Sequence, residues 1–192
     1  MKIAISILAL AVLLVGAYLL LGYLAPTPTE DNGHVETVDE TTARYAAPLY
    51  GISFEYPRTY LLREKEVGDA ERRHYSIVLA DAEALRNLPQ NGEGPPAITI
   101  DVFQNNLDQL SIEEWVRGMS FSNYKLSPDG LIASTSVAGV PALSYTWDGL
   151  YRGLSSVFAH KDNILMFSVS FFSLDDQILT DFNRVLSGLD LF

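Results

Sequence analysis

An uninterrupted apolar stretch at the start of the chain, residues 3–24, constrains the architecture more than any other feature of the sequence. It contains no charged residue. As a helix it would be about 33 Å long, at about 1.5 Å per residue, and a bilayer core is about 30 Å thick. A buried core helix rarely has so long an uncharged run. We therefore predict a transmembrane helix in residues 1–24 that contacts the membrane through residues 3–24.

The charges on the two sides of this stretch predict its orientation. Lys2 precedes it, whereas five acidic residues and no basic residue follow it before Arg44. Basic residues near the end of a membrane helix favour the cytoplasmic side. We expect a single-pass protein of the cytoplasmic membrane, with its amino terminus inside and its soluble domain outside.

The length of the apolar stretch also bears on processing. A secretory signal peptide has an apolar core of about 7–15 residues followed by small residues, and here the best small-residue sequence, residues 15–17, lies inside the run. An uncleaved signal anchor is favoured, with a cleaved signal peptide as the alternative. A lipoprotein is excluded because the chain has no cysteine to carry the lipid.

Two further regions follow the anchor. Residues 25–44 are rich in proline, threonine and acidic residues, which predicts an extended linker. Residues 45–192 contain all nine phenylalanines and both tryptophans, and they are numerous enough to form one folded domain with its own core.

The charge of the domain excludes one class of partner. Residues 45–192 hold 19 acidic and 11 basic residues, a net charge of −8. Nucleic-acid binding requires a basic surface that displaces phosphate counterions, so we expect no nucleic-acid partner. The same acidity repels anionic lipid headgroups, so no membrane contact beyond the anchor is expected.

Alternating apolar residues and turn signals predict the order of elements in the domain. The predicted strands cover residues 51–56, 60–67, 73–80, 97–104, 131–138, 142–147, 151–160 and 164–172. The predicted helices are a short turn after Asp81, a helix opened by a capping box at Ser111 and Glu114, and a helix over residues 174–189 capped by Ser173. Short connections imply antiparallel pairing. The predicted fold class is α+β, an antiparallel β-sheet with helices packed on it.

Four short motifs resemble the PsbP-like domain family. They are Gly-Ile-Ser-Phe-Glu-Tyr-Pro at residues 51–57, Ser-Ile-Glu-Glu-Trp-Val at residues 111–116, Val-Ala-Gly-Val-Pro-Ala at residues 137–142, and the final helix with Phe182 and Leu186 before Phe192. Together they span about residues 49–192. The resemblance implies an α/β/α sandwich in which helices cover an antiparallel sheet.

The resemblance implies no specific activity. One member of the family is an extrinsic subunit of photosystem II, but its specialised amino-terminal segment is not similar to the linker here. A relative with the same fold binds a small GTPase, which lies on the wrong side of the membrane for the predicted topology. Many bacterial relatives are anchored or secreted domains of unknown role, and this chain resembles those most closely.

The sequence holds no motif of the common enzyme classes, neither a nucleophile elbow nor a phosphate loop nor a zinc-protease helix. His74 and His160 each lie at one end of a predicted strand, where an exposed histidine with no ligand is the ordinary expectation. Glu113 and Glu114 diverge by about 100° around a helix, so they do not form an acid–base pair. We predict no catalytic residue, no metal site and no cofactor.

One local cluster is a candidate for recognition. Tyr145, Trp147, Asp148, Tyr151 and Arg152 surround one predicted hairpin, and Tyr145 and Trp147 share a face of their strand. We predict that this hairpin forms a platform for a ligand or protein, made by Tyr145, Trp147, Tyr151 and Arg152. The competing interpretation is that this face is buried under a helix.

The favoured function is therefore a binding or assembly module, presented outside the cytoplasmic membrane to a protein partner in the cell envelope. An extracytoplasmic enzyme whose site is assembled from distant residues is the alternative, and a structural spacer protein is a third. An enzyme predicts a concave site that gathers titratable residues, whereas a module predicts an apolar patch or groove.

Overall fold

The computed structural model of the protein describes residues 33–68, 72–89 and 92–192. The predicted anchor, residues 1–24, and the first part of the predicted linker lie outside these ranges. Within them, no helix has the length and apolar character that crossing a bilayer requires.

The strands of the described chain form two sheets in which every pair is antiparallel. The strands are β1 (His34–Thr37), β2 (Thr42–Ala47), β3 (Ile52–Pro57), β4 (Tyr60–Gly68), β5 (Arg73–Asp81), β6 (Ala97–Gln104), β7 (Ala133–Val137), β8 (Val140–Asp148), β9 (Arg152–His160), β10 (Asn163–Phe171) and β11 (Asp190–Leu191). A four-stranded sheet has the order β1-β2-β3-β11, and a seven-stranded sheet has the order β4-β5-β6-β10-β9-β8-β7.

Three α-helices complete the fold: α1 (Ala82–Arg86), α2 (Ile112–Gly118) and α3 (Gln177–Ser187). Two short 3₁₀ turns, Ser120–Ser122 and Tyr124–Leu126, follow α2. The predicted caps of the first two helices are confirmed. Asp81 accepts from the amides of Glu83 and Ala84, and Ser111 forms the capping box with Glu114.

The main core lies between the two sheets and α3. Alternate residues of the central strands point into it, as the period of two predicted. Phe54 of β3 meets Phe167 of β10 edge-on, with ring centroids 6.5 Å apart, and Phe182 of α3 is fully buried. Each such side chain contributes about 1.5–3 kcal/mol through burial. The result is an α+β architecture with one helix on each broad side of the larger sheet.

A pair of tyrosines closes one end of this core. The hydroxyl groups of Tyr45 in β2 and Tyr75 in β5 are 2.8 Å apart, and both side chains are buried. Burial raises the pKa of both phenols well above the ordinary value. The hydrogen bond between them satisfies two hydroxyl groups that would otherwise be costly to bury.

The folded unit begins earlier than the sequence predicted. It starts at Gly33 rather than Tyr45, because residues 34–37 and 42–47 form β1 and β2. Thr42 and Ala43 are buried and pair with β3, whereas every residue of β1 is exposed. The polar composition of residues 34–44 thus reflects an exposed edge strand and a turn, not a spacer.

The last helix begins later than the sequence predicted. Its N-cap is Asp176, not Ser173, and Leu174 is 68% exposed. The Asp176 carboxylate accepts from the backbone amides of Phe172 and Ser173. The local turn that these bonds stabilise holds residues 172–175 outside the helix.

Candidate functional site

The face of the larger sheet that points away from α3 is only partly covered. Helix α2 lies over one part of it, where Trp115 and Val116 are buried. They belong to a second apolar cluster with other buried residues, Phe103, Tyr145, Val157, Ile164 and Met166. Next to this cluster the sheet face is open, and the candidate site lies there.

The 3₁₀ turn after α2 forms the boundary between the covered and the open part. The Ser122 hydroxyl lies 2.6 Å from the carbonyl oxygen of Val116 and 2.8 Å from that of Met119, and it donates to this pair. Tyr145 of β8 donates to the Ser122 carbonyl at 2.6 Å. These bonds fix the turn to the sheet and leave Phe121 half exposed at the rim.

A histidine and an aspartate form the polar centre of the site. His74 of β5 and Asp101 of β6 lie diagonally across neighbouring strands, and Nε2 of His74 is 2.8 Å from Oδ1 of Asp101. Their side chains are 13% and 10% exposed. The His74 ring stacks on Phe103 at 4.1 Å between centroids and meets Phe121 edge-on at 5.2 Å. The imidazole is thus held by one carboxylate and two aromatic rings.

A groove of about 410 Å³ runs across the open face beside this pair. Thr99, Asp101 and Ser168 form part of its floor, and Phe121 and Trp147 form its apolar walls. Asp101 and Ser168 are buried. Apolar walls with a few fixed polar groups are typical of ligand sites, and the volume falls within their usual range of about 300–1,000 Å³.

The Trp147 wall is fixed by a chain of hydrogen bonds. Its indole Nε1 donates to the Ser155 hydroxyl at 3.0 Å, and the hydroxyl groups of Ser155 and Ser168 are 2.7 Å apart. The ring lies across Gly153 of β9, where an added Cβ would meet ring atoms at 2.1 Å. Glycine is therefore required there by the close approach of the indole.

A smaller cavity of about 220 Å³ lies on the other side of Phe121. It shares His74, Phe103 and Phe121 with the groove, and it adds the ion pair between Arg72 and Asp108. His74 therefore contacts two adjoining cavities, and Phe121 separates them. A change in the Phe121 side chain alters both.

The pair resembles the base of a catalytic triad, because a carboxylate orients an imidazole. The second ring nitrogen, Nδ1, is buried and has no hydrogen-bond partner among the residues that the structure describes. Covalent catalysis requires a nucleophile within hydrogen-bond reach of the base. The described residues also contain no group of three side chains suited to a metal ion. The arrangement is suited to orienting a bound group.

The residues that the sequence singled out do not form one surface. Tyr145 is only 3% exposed and lies in the cluster under α2. Trp147 lines the groove. At the turn of the hairpin, Tyr151 donates to the Gly94 carbonyl at 2.6 Å, and the Arg152 guanidinium lies 5.7 Å from the centre of the Phe171 ring. The recognition role of these residues stays a prediction.

Sequence reasoning missed the partner of His74. The signal was Asp101, the one charged residue in the strand of residues 97–104. A carboxylate at a buried strand position requires a partner. Pairing the two predicted strands as neighbours would have brought it to the same face as His74.

Comparison with known proteins identifies the fold. No protein-family model matches the sequence, and no curated protein is significantly similar to it. Among solved structures, the chain is similar to the solution structure of cyanobacterial PsbP (CyanoP) from Synechocystis sp. PCC 6803. The TM-score is 0.53 at 14% sequence identity, over 88% of this chain and 99% of that one. The chain thus has a PsbP-like fold, as the sequence motifs predicted.

Proposed function

We propose that the chain is a membrane-anchored module that presents its PsbP-like domain outside the cytoplasmic membrane. In this proposal the groove beside His74 and Asp101 receives a side chain of a protein partner in the cell envelope. Residues 3–24 form the anchor, and the domain itself performs no chemical step.

The buried His74–Asp101 pair is the observation that carries the binding role. A buried polar pair contributes little net stability, because the desolvation of its members offsets the attraction between them. An apolar pair at the same two positions would fill the sheet face at lower cost. A polar pair at the floor of a groove is instead suited to recognising a polar group that enters it.

The charge of the chain favours a basic side chain in the groove. The sequence has a net charge of −11, and Asp101 is the acidic residue among those lining the groove. The apolar walls, Phe121 and Trp147, favour the hydrocarbon stem of a lysine or arginine and attract its cation through their ring faces. The preferred partner segment therefore presents one lysine or arginine.

A photo-cross-linking experiment tests the groove. Benzoylphenylalanine replaces Phe121 at the rim in the full chain, and ultraviolet light is applied to intact cells. We expect one adduct of defined mass, reduced several-fold by Asp101→Asn. The same probe at Phe172, which is 68% exposed, is the control. Absence of an adduct from position 121, or the same adduct from both positions, would reject the groove as the binding site.

Protease accessibility tests the proposed topology. Protease added to intact spheroplasts should digest the domain and leave a fragment containing residues 3–24. A domain that survives in intact spheroplasts but is cut after lysis would reject the extracytoplasmic location. This result would leave the binding experiment interpretable, since the groove does not depend on the compartment.

A further inference from the structure

The two edges of the seven-stranded sheet differ in charge. Strand β7, with the sequence Ala-Ser-Thr-Ser-Val, ends the sheet on one side, and its first four residues are exposed. No charged residue occurs between Asp129 and Asp148. The opposite edge, β4, carries four consecutive charged residues, 63–66. Charges on an edge strand discourage pairing with another chain, so β4 is protected in this way and β7 is not.

A groove of about 390 Å³ lies between β7 and helix α3. Leu154, Phe182 and Leu186 provide its apolar part, and Thr135 and Ser136 of β7 line it from the edge. Phe182 is fully buried, so this part of the groove is built on the main core. An edge strand beside a helix, with an apolar groove between them, is the geometry that accepts an added strand.

We propose that β7 pairs with an extended segment of a partner protein, which places one apolar side chain in the groove beside α3. The outward-facing N–H and C=O groups of β7 provide the main-chain hydrogen bonds, and the groove provides side-chain selectivity. This surface lies on the opposite side of the larger sheet from the groove at His74 and Asp101. The proposal therefore stands independently of the proposed function.

Another copy of this chain, paired edge to edge, is a disfavoured occupant. Each copy has a net charge of −11, and like charge opposes association. The same charge selects the chemistry of the partner. A segment without acidic residues, flanked by lysine or arginine, is attracted to the chain and matches the uncharged edge.

Selection from a displayed library tests this proposal. Random dodecapeptides on phage are panned against the full chain in nanodiscs, and binding of the enriched peptides is measured by fluorescence anisotropy. We expect enriched peptides that lack acidic residues and alternate apolar with polar side chains. Absence of enrichment, or enrichment of acidic peptides, would overturn the proposal.

Two adjacent proline variants locate the binding surface. Residues next to each other in an antiparallel edge strand direct their N–H groups alternately to the neighbouring strand and to solvent. Of Ser134→Pro and Thr135→Pro, one removes an outward N–H and the other a bond to β8. We expect the variant that loses the outward N–H to lower peptide affinity at least about tenfold. Its thermal unfolding should show that the chain still folds. The matched controls, Glu64→Pro and Lys65→Pro on β4, should leave affinity unchanged.

Hydrogen exchange gives a reading that does not depend on variants. Adding an enriched peptide to the unchanged protein should slow amide exchange in β7 and not in β4. Equal affinity in both β7 variants, or protection elsewhere than β7, overturns the proposal. A concentration-dependent dimer in sedimentation that the same proline variant abolishes would assign the edge to a second copy instead.

Discussion

Replacing Gly153 with alanine tests the wall of the groove. An added Cβ would lie 2.1 Å from the Cε2 and Cζ2 atoms of Trp147 and 2.5 Å from Cη2, whereas ordinary contacts begin near 3.4 Å. The indole must therefore withdraw by roughly 1 Å or more, because the strand backbone is fixed by pairing on both sides. The hydrogen bond from Trp147 Nε1 to Ser155 Oγ, 3.0 Å long, would then be lost.

The expected cost combines two effects. Overpacking costs about 1–3 kcal/mol, and loss of the indole hydrogen bond adds about 0.5–1.5 kcal/mol. Trp147 is half buried and is free to swing toward the groove, which lowers the packing cost. We expect the free energy of unfolding to fall by about 2 kcal/mol, equivalent to about 4–8 °C in Tm for a domain of this size.

Urea unfolding of the full chain in detergent, followed by tryptophan fluorescence, measures this change. The folded variant should also emit at longer wavelength, because the displaced indole meets more water. Gly118→Ala is the matched control, since an added Cβ there meets no atom within 4 Å. A loss below about 0.5 kcal/mol for Gly153→Ala, or an equal loss in the control, would refute the close packing of Trp147 on β9.

Three further predictions concern the fold. Phe182→Ala should lower the free energy of unfolding by about 3–5 kcal/mol in a denaturant titration, because the ring is fully buried; a loss near 1 kcal/mol would place the ring outside the core. Hydrogen bonds from Ser111 hold the pKa of Glu114 in the folded chain below its ordinary 4.5. The contribution of the capping box to stability is therefore present above pH 4.5 and is lost as pH falls through the lowered pKa of the folded chain. Thermal melts should then show a destabilising effect of Ser111→Ala at pH 7 that shrinks toward pH 3, and an effect independent of pH would contradict this assignment. Burial, with the nearby Lys161, lowers the pKa of His160 below 6.5, so the stability that depends on neutral His160 is full above pH 6.5 and falls as pH drops below it. His160→Gln should flatten the dependence of Tm on pH between pH 7.5 and 5.5. A dependence equal to that of the unchanged protein would contradict the assignment of this effect to His160.

Local patterns predicted most of the larger sheet. The strand of residues 97–104 was predicted with its observed bounds, because alternation and a flanking proline-rich loop act within a few residues. The capping box at Ser111 was likewise readable, since both partners lie within four positions. Such features depend on near neighbours, which a single sequence displays directly.

The missed features depend on distant partners. Strand β1 is fully exposed, so its composition is that of a linker, and only pairing with β2 makes it a strand. The His74–Asp101 pair joins residues 27 positions apart, and the position of Trp147 over Gly153 depends on the register of β8 with β9. The candidate site was therefore predictable in its residue types but not in its assembly.

The pairing of β11 with β3 has a consequence for how the chain is made. Leu191 pairs with Ile52, so synthesis must pass Leu191 before the smaller sheet gains its last strand. Contacts this far apart form slowly, and the apolar faces that α3 later covers stay exposed meanwhile. The smaller sheet is thus completed late, and the growing polypeptide is prone to aggregation until α3 and β11 have been synthesised.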